Sequence, residues 1–360
     1  MSDRRVIVYA PNVGVGGGLV LVRALMRAWP DNAPAVALLN DRGRGAIEPN
    51  GSSIDIRWFG SNVKDRWRAE RELRRISLPE DTILCFHNLP PLLPVRGRLI
   101  CYVHNPILVD VVPLRRLSGW VRMRGALERL IFGLFNHRID RFLVQTPTMV
   151  RALATVRGYR SQPIDVLPFV DQAALPPRTK LEATGRTREI VCSVEQRFDF
   201  IFVSDGAPHK NHQMLFQAWG LLAAEGVRPS LAVTLHPVRD GILHAEAERL
   251  AGAGLNIVDL GQLPHCEVLK LYGLSDALLF ASYAETFGIP LIEAKAAGLP
   301  ILAAELDFVR DVCEPAVTFD PHSARSIARA VKRFLGEREQ SVELIEPAEF
   351  IARLYVCGGE

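Results

Sequence analysis

The stretch Ala277-Leu278-Leu279-Phe280-Ala281-Ser282-Tyr283-Ala284-Glu285-Thr286-Phe287-Gly288-Ile289-Pro290-Leu291-Ile292-Glu293-Ala294 decides how this chain is read. The apolar run Ala277–Ala281 reads as a buried strand. Pro290 suits the first turn of a helix, where its missing N–H costs nothing. Gly298 and Pro300 read as the stop of that helix. The segment is therefore strand, loop, helix. Glu285 falls in the loop at the strand's carboxyl end, and Glu293 on the first turns of the helix. Amides from Phe287 to Leu291 are expected to point out of the helix N-terminus as an anion site. Two hydroxyl-binding carboxylates beside an anion site suit a ligand with sugars at both ends and phosphates between.

The same alternation runs outward through the chain. Strands are expected at Arg5–Ala10, Ala35–Leu39, Ile54–Trp58, Thr82–Phe86, Leu99–Val103, Phe142–Gln145 and Ile164–Leu167. Helical patterns fall between them at Gly18–Arg27, Asp65–Ile76, Leu117–Phe135 and Thr148–Val156. This is the rhythm of an α/β, doubly wound parallel sheet. Residues 171–197 are polar, contain Pro176-Pro177, and read as a linker. The pattern restarts at Phe198–Val203 and ends with a helix at Ser323–Leu335. Two domains follow, 1–170 and 198–344, with an amphipathic segment Pro347–Tyr355 within 345–360 that could pack back on the first. Ligands of such sheets lie at the carboxyl ends of the strands, so the cleft between two of them is the expected site.

A length of 360 residues suits two cores. No run of 18 apolar residues occurs, so no membrane-spanning helix is expected. Met1–Arg5 leads straight into a strand, too short for a signal peptide. The six cysteines are scattered without a C-x-x-C pair, which argues against zinc and fits buried thiols in a reducing cytoplasm. Residues 1–170 carry 25 Lys+Arg against 14 Asp+Glu, hence +11, and the rest carry 18 against 26, hence −8. The basic half suggests an anionic membrane surface. Nucleic acid is disfavoured, because no zinc-finger, homeodomain or RNA-binding signature accompanies the charge.

Several further motifs sit at strand ends. Gly14-Val15-Gly16-Gly17-Gly18 follows the first strand, where glycine lets backbone approach a phosphate. A dinucleotide fingerprint needs Gly at 19, and Leu19 is there, although Asp41 sits after the second strand, at the place of a ribose-binding acid. A ligand-free tight turn is an equal reading. Lys210, in Pro208-His209-Lys210-Asn211-His212, stands where a cation can hold a diphosphate; the plain reading is a solvated lysine. His104 follows the strand Leu99–Val103 and suits a sugar hydroxyl or phosphate, with a core histidine as the plain alternative; His87-Asn88 is a weaker case. In Leu114–Phe135, Leu117, Trp120, Val121, Leu127, Leu130, Ile131 and Leu134 form one face. Arg115, Arg122 and Arg129 recur on another, so the helix is expected to pack its leucines inward and present cations outward, to water or lipid. No Asp-x-Asp occurs, so no metal is expected. Phosphate charge is left to Lys210, helix dipoles and other cations.

Glu285 to Glu293 is similar to the Glu-x7-Glu motif of retaining glycosyltransferases of the GT-B fold. The chain most resembles glycosyltransferase family 4, the group 1 transferases, including bacterial members that build O-antigen, capsule and lipopolysaccharide chains. The resemblance spans nearly all of the C-terminal half, through Phe200–Leu215, Gly261-Gln262-Leu263, Ser282, Glu285–Ala294 and Glu305–Asp311. It is weaker in the first half, at Gly17-Gly18, His104 and Val144-Gln145-Thr146. It implies two Rossmann-like domains facing across a cleft: a nucleotide-diphosphate sugar binds the second, and a glycan or lipid-linked glycan acceptor meets the first. It places Glu285 at the donor sugar, Glu293 at the ribose and Lys210 at the diphosphate, with Thr286, Phe287, Gly288 and Ile289 around them. His104 would reach the donor from the opposite domain, and Gly16, Gly17 and Gly18 would approach the diphosphate or acceptor. The implied reaction is metal-independent, retaining transfer of a hexose or deoxyhexose by front-side displacement. The enzyme would be cytoplasmic, peripheral on the inner membrane face. One departure stands out: the position five before Lys210, often arginine in the family, is Asp205.

Other classes remain open at this point. A nucleotide-sugar epimerase would share the architecture but needs an acid–base set that is not evident. A silent nucleotide-sugar-binding scaffold would not need Glu285, Glu293 and Lys210 together. A nicotinamide-dependent dehydrogenase rests on the glycine loop alone.

Overall fold

The computed structural model describes residues 5–48, 54–105, 107–109, 119–156, 158–171, 175 and 196–337. Most of the expected linker, the segment Pro347–Tyr355, Arg115, Leu117 and the side chains of Trp120 and Val121 lie outside the described residues.

The first sheet is built from β1 (Val6–Ala10), β2 (Ala35–Asn40), β3 (Ile54–Phe59), β4 (Thr82–Cys85), β5 (Arg98–Val103), β6 (Arg141–Val144) and β7 (Ile164–Val166). Its helices are α1 (Gly16–Arg27), α2 (Val63–Ile76), α3 (Gly119–Phe135) and α4 (Pro147–Ala154). The second sheet comprises β8 (Phe198–Phe202), β9 (Leu231–Val233), β10 (Ile257–Asp259), β11 (Ser275–Phe280), β12 (Ile301–Ala304) and β13 (Val317–Phe319). Around it lie α5 (His212–Ala224), α6 (Gly241–Gly252), α7 (His265–Gly273), α8 (Ile289–Ala297), α9 (Asp307–Arg310) and α10 (Ala324–Phe334). The strand orders are β3-β2-β1-β4-β5-β6-β7 and β10-β9-β8-β11-β12-β13. Every pairing among the described residues is parallel.

Parallel strands covered on both faces must be apolar on both, and β2 up to its terminal Asn40 and all of β12 read that way. Each sheet has a packed cluster on either side. Ile7, Leu38 and Phe142 belong to one face of the first sheet, and Val8, Leu39 and Phe86 to the other. In the second, Phe200 and Trp219 lie on one face and Phe280 and Leu291 on the other. Trp219 buries its ring and donates its indole N–H to the Pro229 carbonyl at 2.9 Å.

The order in which strands are added to the sheet reverses between β1 and β4 in the first sheet and between β8 and β11 in the second. Each reversal opens a crevice at the strands' carboxyl ends. The glycine loop follows β1, the Lys210 loop follows β8 and the Glu285 loop follows β11. The topology alone therefore sets Lys210 and Glu285 on neighbouring strands.

Three expectations are corrected. Strand β13 and helix α9 were not foreseen. Cys266 is exposed, whereas Cys85, Cys101 and Cys313 are buried thiols as expected. Helix α3 packs the other way round: Gly125 and Phe132 face the domain, while Leu127, Leu130 and Leu134 are exposed and Ile131 is half-buried. Arg129, expected outside, turns in and donates to the Ile107 carbonyl at 2.7 Å.

Candidate active site

A cleft of about 750 Å³ lies between the two sheets. Its lining includes all of Gly16, Gly17, Gly18, His104, Lys210, Glu285, Thr286, Phe287, Gly288, Ile289 and Glu293. The residues singled out from the sequence thus meet in one place. Asp41 lines a separate surface hollow. His87 is buried against the Tyr9 carbonyl and the Arg66 guanidinium. Neither reaches the cleft.

Lys210 ends a short 3-10 turn, and the following Asn211 adopts a left-handed φ of 73°. Asn211 is fixed there because its side-chain Nδ2 donates to the carbonyls of Ala281 (3.2 Å) and Pro321 (2.7 Å). That turn delivers the Lys210 ammonium to the Glu285 carboxylate as a direct ion pair. Burial pulls the lysine down, but Glu285 and Asp205 outweigh it and hold the ammonium above its ordinary value. It is therefore a permanent cation.

Glu285 is followed by a helix start. Gly288 takes a left-handed φ of 68° as N-cap of α8. The amide array is smaller than expected, since Pro290 has no N–H and Leu291 N–H is committed to the Gly288 carbonyl at 2.9 Å. The amides of Phe287, Gly288 and Ile289 remain to face an anion, aided by the helix dipole.

Glu293 is 3% exposed, deeper than a first-turn position suggested. Its carboxylate accepts from His265 Nε2 at 2.6 Å and from the Tyr272 hydroxyl at 2.8 Å. His265 is raised above its ordinary value chiefly by this hydrogen bond, against the pull of burial. His265 itself lines the cleft. Sequence reasoning missed both partners. They lie 28 and 21 positions away, and no local pattern links them.

From the other domain, His104 donates from Nε2 to the Phe86 carbonyl at 2.9 Å, leaving Nδ1 as its acceptor nitrogen. Burial holds it below its ordinary value, so it is a neutral ring at physiological pH. The glycine loop is shaped by close approach. A side chain on Gly18 would come within 3.1 Å of the His104 ring, and one on Gly17 within 3.2 Å of Ile289 across the cleft. Gly16 has a left-handed φ of 66°.

At the position where arginine was expected, Asp205 lines the cleft and adds negative charge. Arg23 and Arg239 also line it and were not foreseen. Arg239 is tied to Asp240 at 3.0 Å. Gln145, which lines the cleft from the first domain, is 3% exposed, and its side-chain oxygen has no hydrogen-bond partner among the described residues.

Direct bonds cross the cleft. Thr286 Oγ1 donates to the His104 carbonyl (3.3 Å), and Thr146 Oγ1 donates to the Thr286 carbonyl (3.4 Å). At the rim, Thr148 N–H donates to Asp311 and Arg151 to Asp307, each at 3.0 Å. Together the site offers a fixed cation, an amide array, a carboxylate beside each end and a neutral histidine opposite. That set can hold a diphosphate and read hydroxyls on either side of it.

Residues 185–349 match the family model described as glycosyl transferases group 1. Over 73 residues the chain is 38% identical to the serotype-specific mannosyltransferase WbdA of Escherichia coli, spanning 20% of this chain and 9% of that one. It is 24% identical over 208 residues to the D-inositol 3-phosphate glycosyltransferase of Streptosporangium roseum, spanning 54% of this chain and 47% of the relative. The chain therefore spans less than half the length of either relative. The Anabaena protein HepE, solved in complex with UDP and glucose, matches with a TM-score of 0.65 at 16% identity, covering 92% of this chain and 90% of that one. The two facing parallel-sheet domains thus have the GT-B fold, and the second of them matches the group 1 glycosyl transferases.

Proposed function

We propose that this chain is a retaining glycosyltransferase of family 4. It would move a hexose or deoxyhexose from a nucleotide-diphosphate sugar to a glycan acceptor in the assembly of a bacterial surface polysaccharide. The observation that carries this reading is the convergence of Lys210, Glu285, the Phe287–Ile289 amides and Glu293 on one wall of the cleft, with His104 and the glycine loop opposite. In this proposal Lys210 and the amides hold the diphosphate and Glu285 meets the donor sugar. Glu293, oriented by His265 and Tyr272, meets the ribose. Front-side displacement needs no protein nucleophile, because the departing diphosphate takes the acceptor's proton. The protein's part is positioning and stabilising leaving-group charge.

The likeness to HepE, solved with UDP and glucose, supports a nucleotide-sugar donor. The distant likeness to WbdA supports an O-antigen-type product. The acceptor is placed on a lipid carrier at the cytoplasmic membrane face, supported by the +11 charge of residues 1–170. Among the described residues no helix is long and apolar enough to cross a membrane.

The test is a melting-temperature screen with GDP, UDP and dTDP, since a ligand of the native state alone raises it. Transfer assays with the matching sugar donors follow. One nucleotide should stabilise the chain and its sugar should be transferred; no shift with any of them would overturn the reading. Transfer is proposed to be metal-independent, so chelator should leave it unchanged. Loss on chelation with rescue by magnesium would refute that part.

A further inference from the structure

Helix α3 turns an apolar row to the outside. Met123, Leu127, Leu130 and Leu134 are each 56–58% exposed. At about 100° per residue these four fall within an arc of about 60°. Arg122 and Arg124, both exposed, lie at about 100° to either side of the row. Gly125 and Phe132 on the far side hold the helix to its domain. An apolar row of this length on a water-soluble surface marks an interaction site.

The flanking charges say what kind. An apolar row bordered on both sides by guanidinium groups is the pattern of a helix lying in the plane of a bilayer surface. Its leucines enter the acyl boundary and its arginines reach the headgroup phosphates. The excess of Lys+Arg in residues 1–170, 25 against 14, has the sign that an anionic leaflet attracts.

Position supplies a second, independent argument. A side cavity of about 240 Å³ is lined by Arg124 and Glu128 of α3 together with Val15, Gly18 and His104. The last three also line the main cleft. The side cavity therefore adjoins the main cleft, with Val15, Gly18 and His104 bordering both. Arg124 lines the side cavity, paired with Glu128 at 2.8 Å and 63% exposed.

We propose that α3 seats this chain on an anionic lipid bilayer, and that the side cavity admits the head of a lipid-carried acceptor from that surface to the cleft. The second clause rests on the transferase reading; the first does not.

Vesicles of phosphatidylcholine alone, and of phosphatidylcholine with phosphatidylglycerol in equal parts, separate charge from apolar contact in co-sedimentation. The wild-type chain should bind the anionic vesicles, less at high salt. Leu127→Ser/Leu130→Ser/Leu134→Ser alters only exposed positions and should melt like wild type. It should weaken vesicle binding on the order of 100-fold, three leucines being withdrawn from lipid. It should also retain transfer to a water-soluble glycan while losing transfer to a lipid-anchored one. Equal vesicle binding by wild type and the triple variant would overturn the assignment. So would an absence of vesicle binding by a dimer that the triple variant dissociates, which would give the face to a second copy. Vesicle binding without transfer from any donor supports the seat and refutes the transferase reading.

Discussion

Lys210→Ala separates the two roles that the Lys210–Glu285 pair can have. The side chains are 18% and 13% exposed and in direct contact. Removing the lysine leaves a mostly buried carboxylate without its counter-charge. Breaking a fully buried pair from one side costs about 3–5 kcal/mol. Both groups here keep some water, so a loss of about 2 kcal/mol is expected. That lowers the melting temperature by roughly 4–8 °C. Adding Glu285→Gln removes the stranded charge and should return most of that loss. Activity should behave differently. A preorganised charge at a leaving group contributes about 10²–10³ in kcat, so Lys210→Ala should lose about that much. The double variant should recover stability and no activity. The measurements are thermal melts and initial rates with saturating donor. A Lys210→Ala protein with near-wild-type kcat, or a double variant whose activity returns with its stability, would show that the pair is structural and that the diphosphate is held elsewhere.

Three further outcomes are expected. His265 is raised by its bond to Glu293, so the native state holds its proton more tightly than the unfolded chain. Its contribution is then complete below the ordinary histidine value of about 6.5 and is lost as pH rises through the raised value. The stability gap between wild type and His265→Asn, read by thermal melts, should therefore shrink with rising pH; a constant gap would mean that the ring carries no proton. His87, His104 and His212 are shifted the opposite way by burial, His212 down to about 4. The unfolded chain binds protons first as pH falls below about 6.5, so stability should decline from there toward pH 4; denaturant midpoints that stay level over that range would contradict it. Gly17→Val places methyl groups against Ile289, already 3.2 Å from a would-be Cβ. The donor Kd should rise about tenfold, within the ~1–3 kcal/mol of an overpacked contact, and calorimetry showing unchanged affinity would mean that the cleft does not close on α8.

Much of the fold was legible because both sheets are sandwiched. Runs such as Ala35–Leu39 and Ile301–Ala304 are apolar along their whole length, and no other burial suits so short a run. Strand β13 escaped because three residues, Val317–Phe319, carry too little pattern, and β12 beside it supplies the reason for it to pair. Helix α3 marks a different limit. Periodicity reveals that a helix has an apolar face, but not whether the domain or something else covers it. The cleft residues Lys210, Glu285 and Gly288 were readable because each follows a strand end, and topology gathers strand ends. The company of Glu293 was not. His265 and Tyr272 reach it through the packing of α7 against α8, which depends on the folded core. Arg23 and Arg239 were invisible for the same reason: each is an ordinary arginine until two domains close over it.

Thr286 sits one residue beyond Glu285 and bonds to the first domain in both directions, to His104 and from Thr146. The bonds are long, 3.3 and 3.4 Å, so each contributes at the low end of about 0.5–1.5 kcal/mol. They act as a light latch on the loop that carries the carboxylate. Releasing these two bonds would cost little, yet it would untether the Glu285 loop from the first domain at the same moment. An open chain could take up its donor through the second domain with this loop not yet set. In the proposed transferase the reactive arrangement would then exist only while the halves are shut and water is displaced. The ratio of donor hydrolysis to sugar transfer reads that coupling directly, and it should rise if the latch is cut.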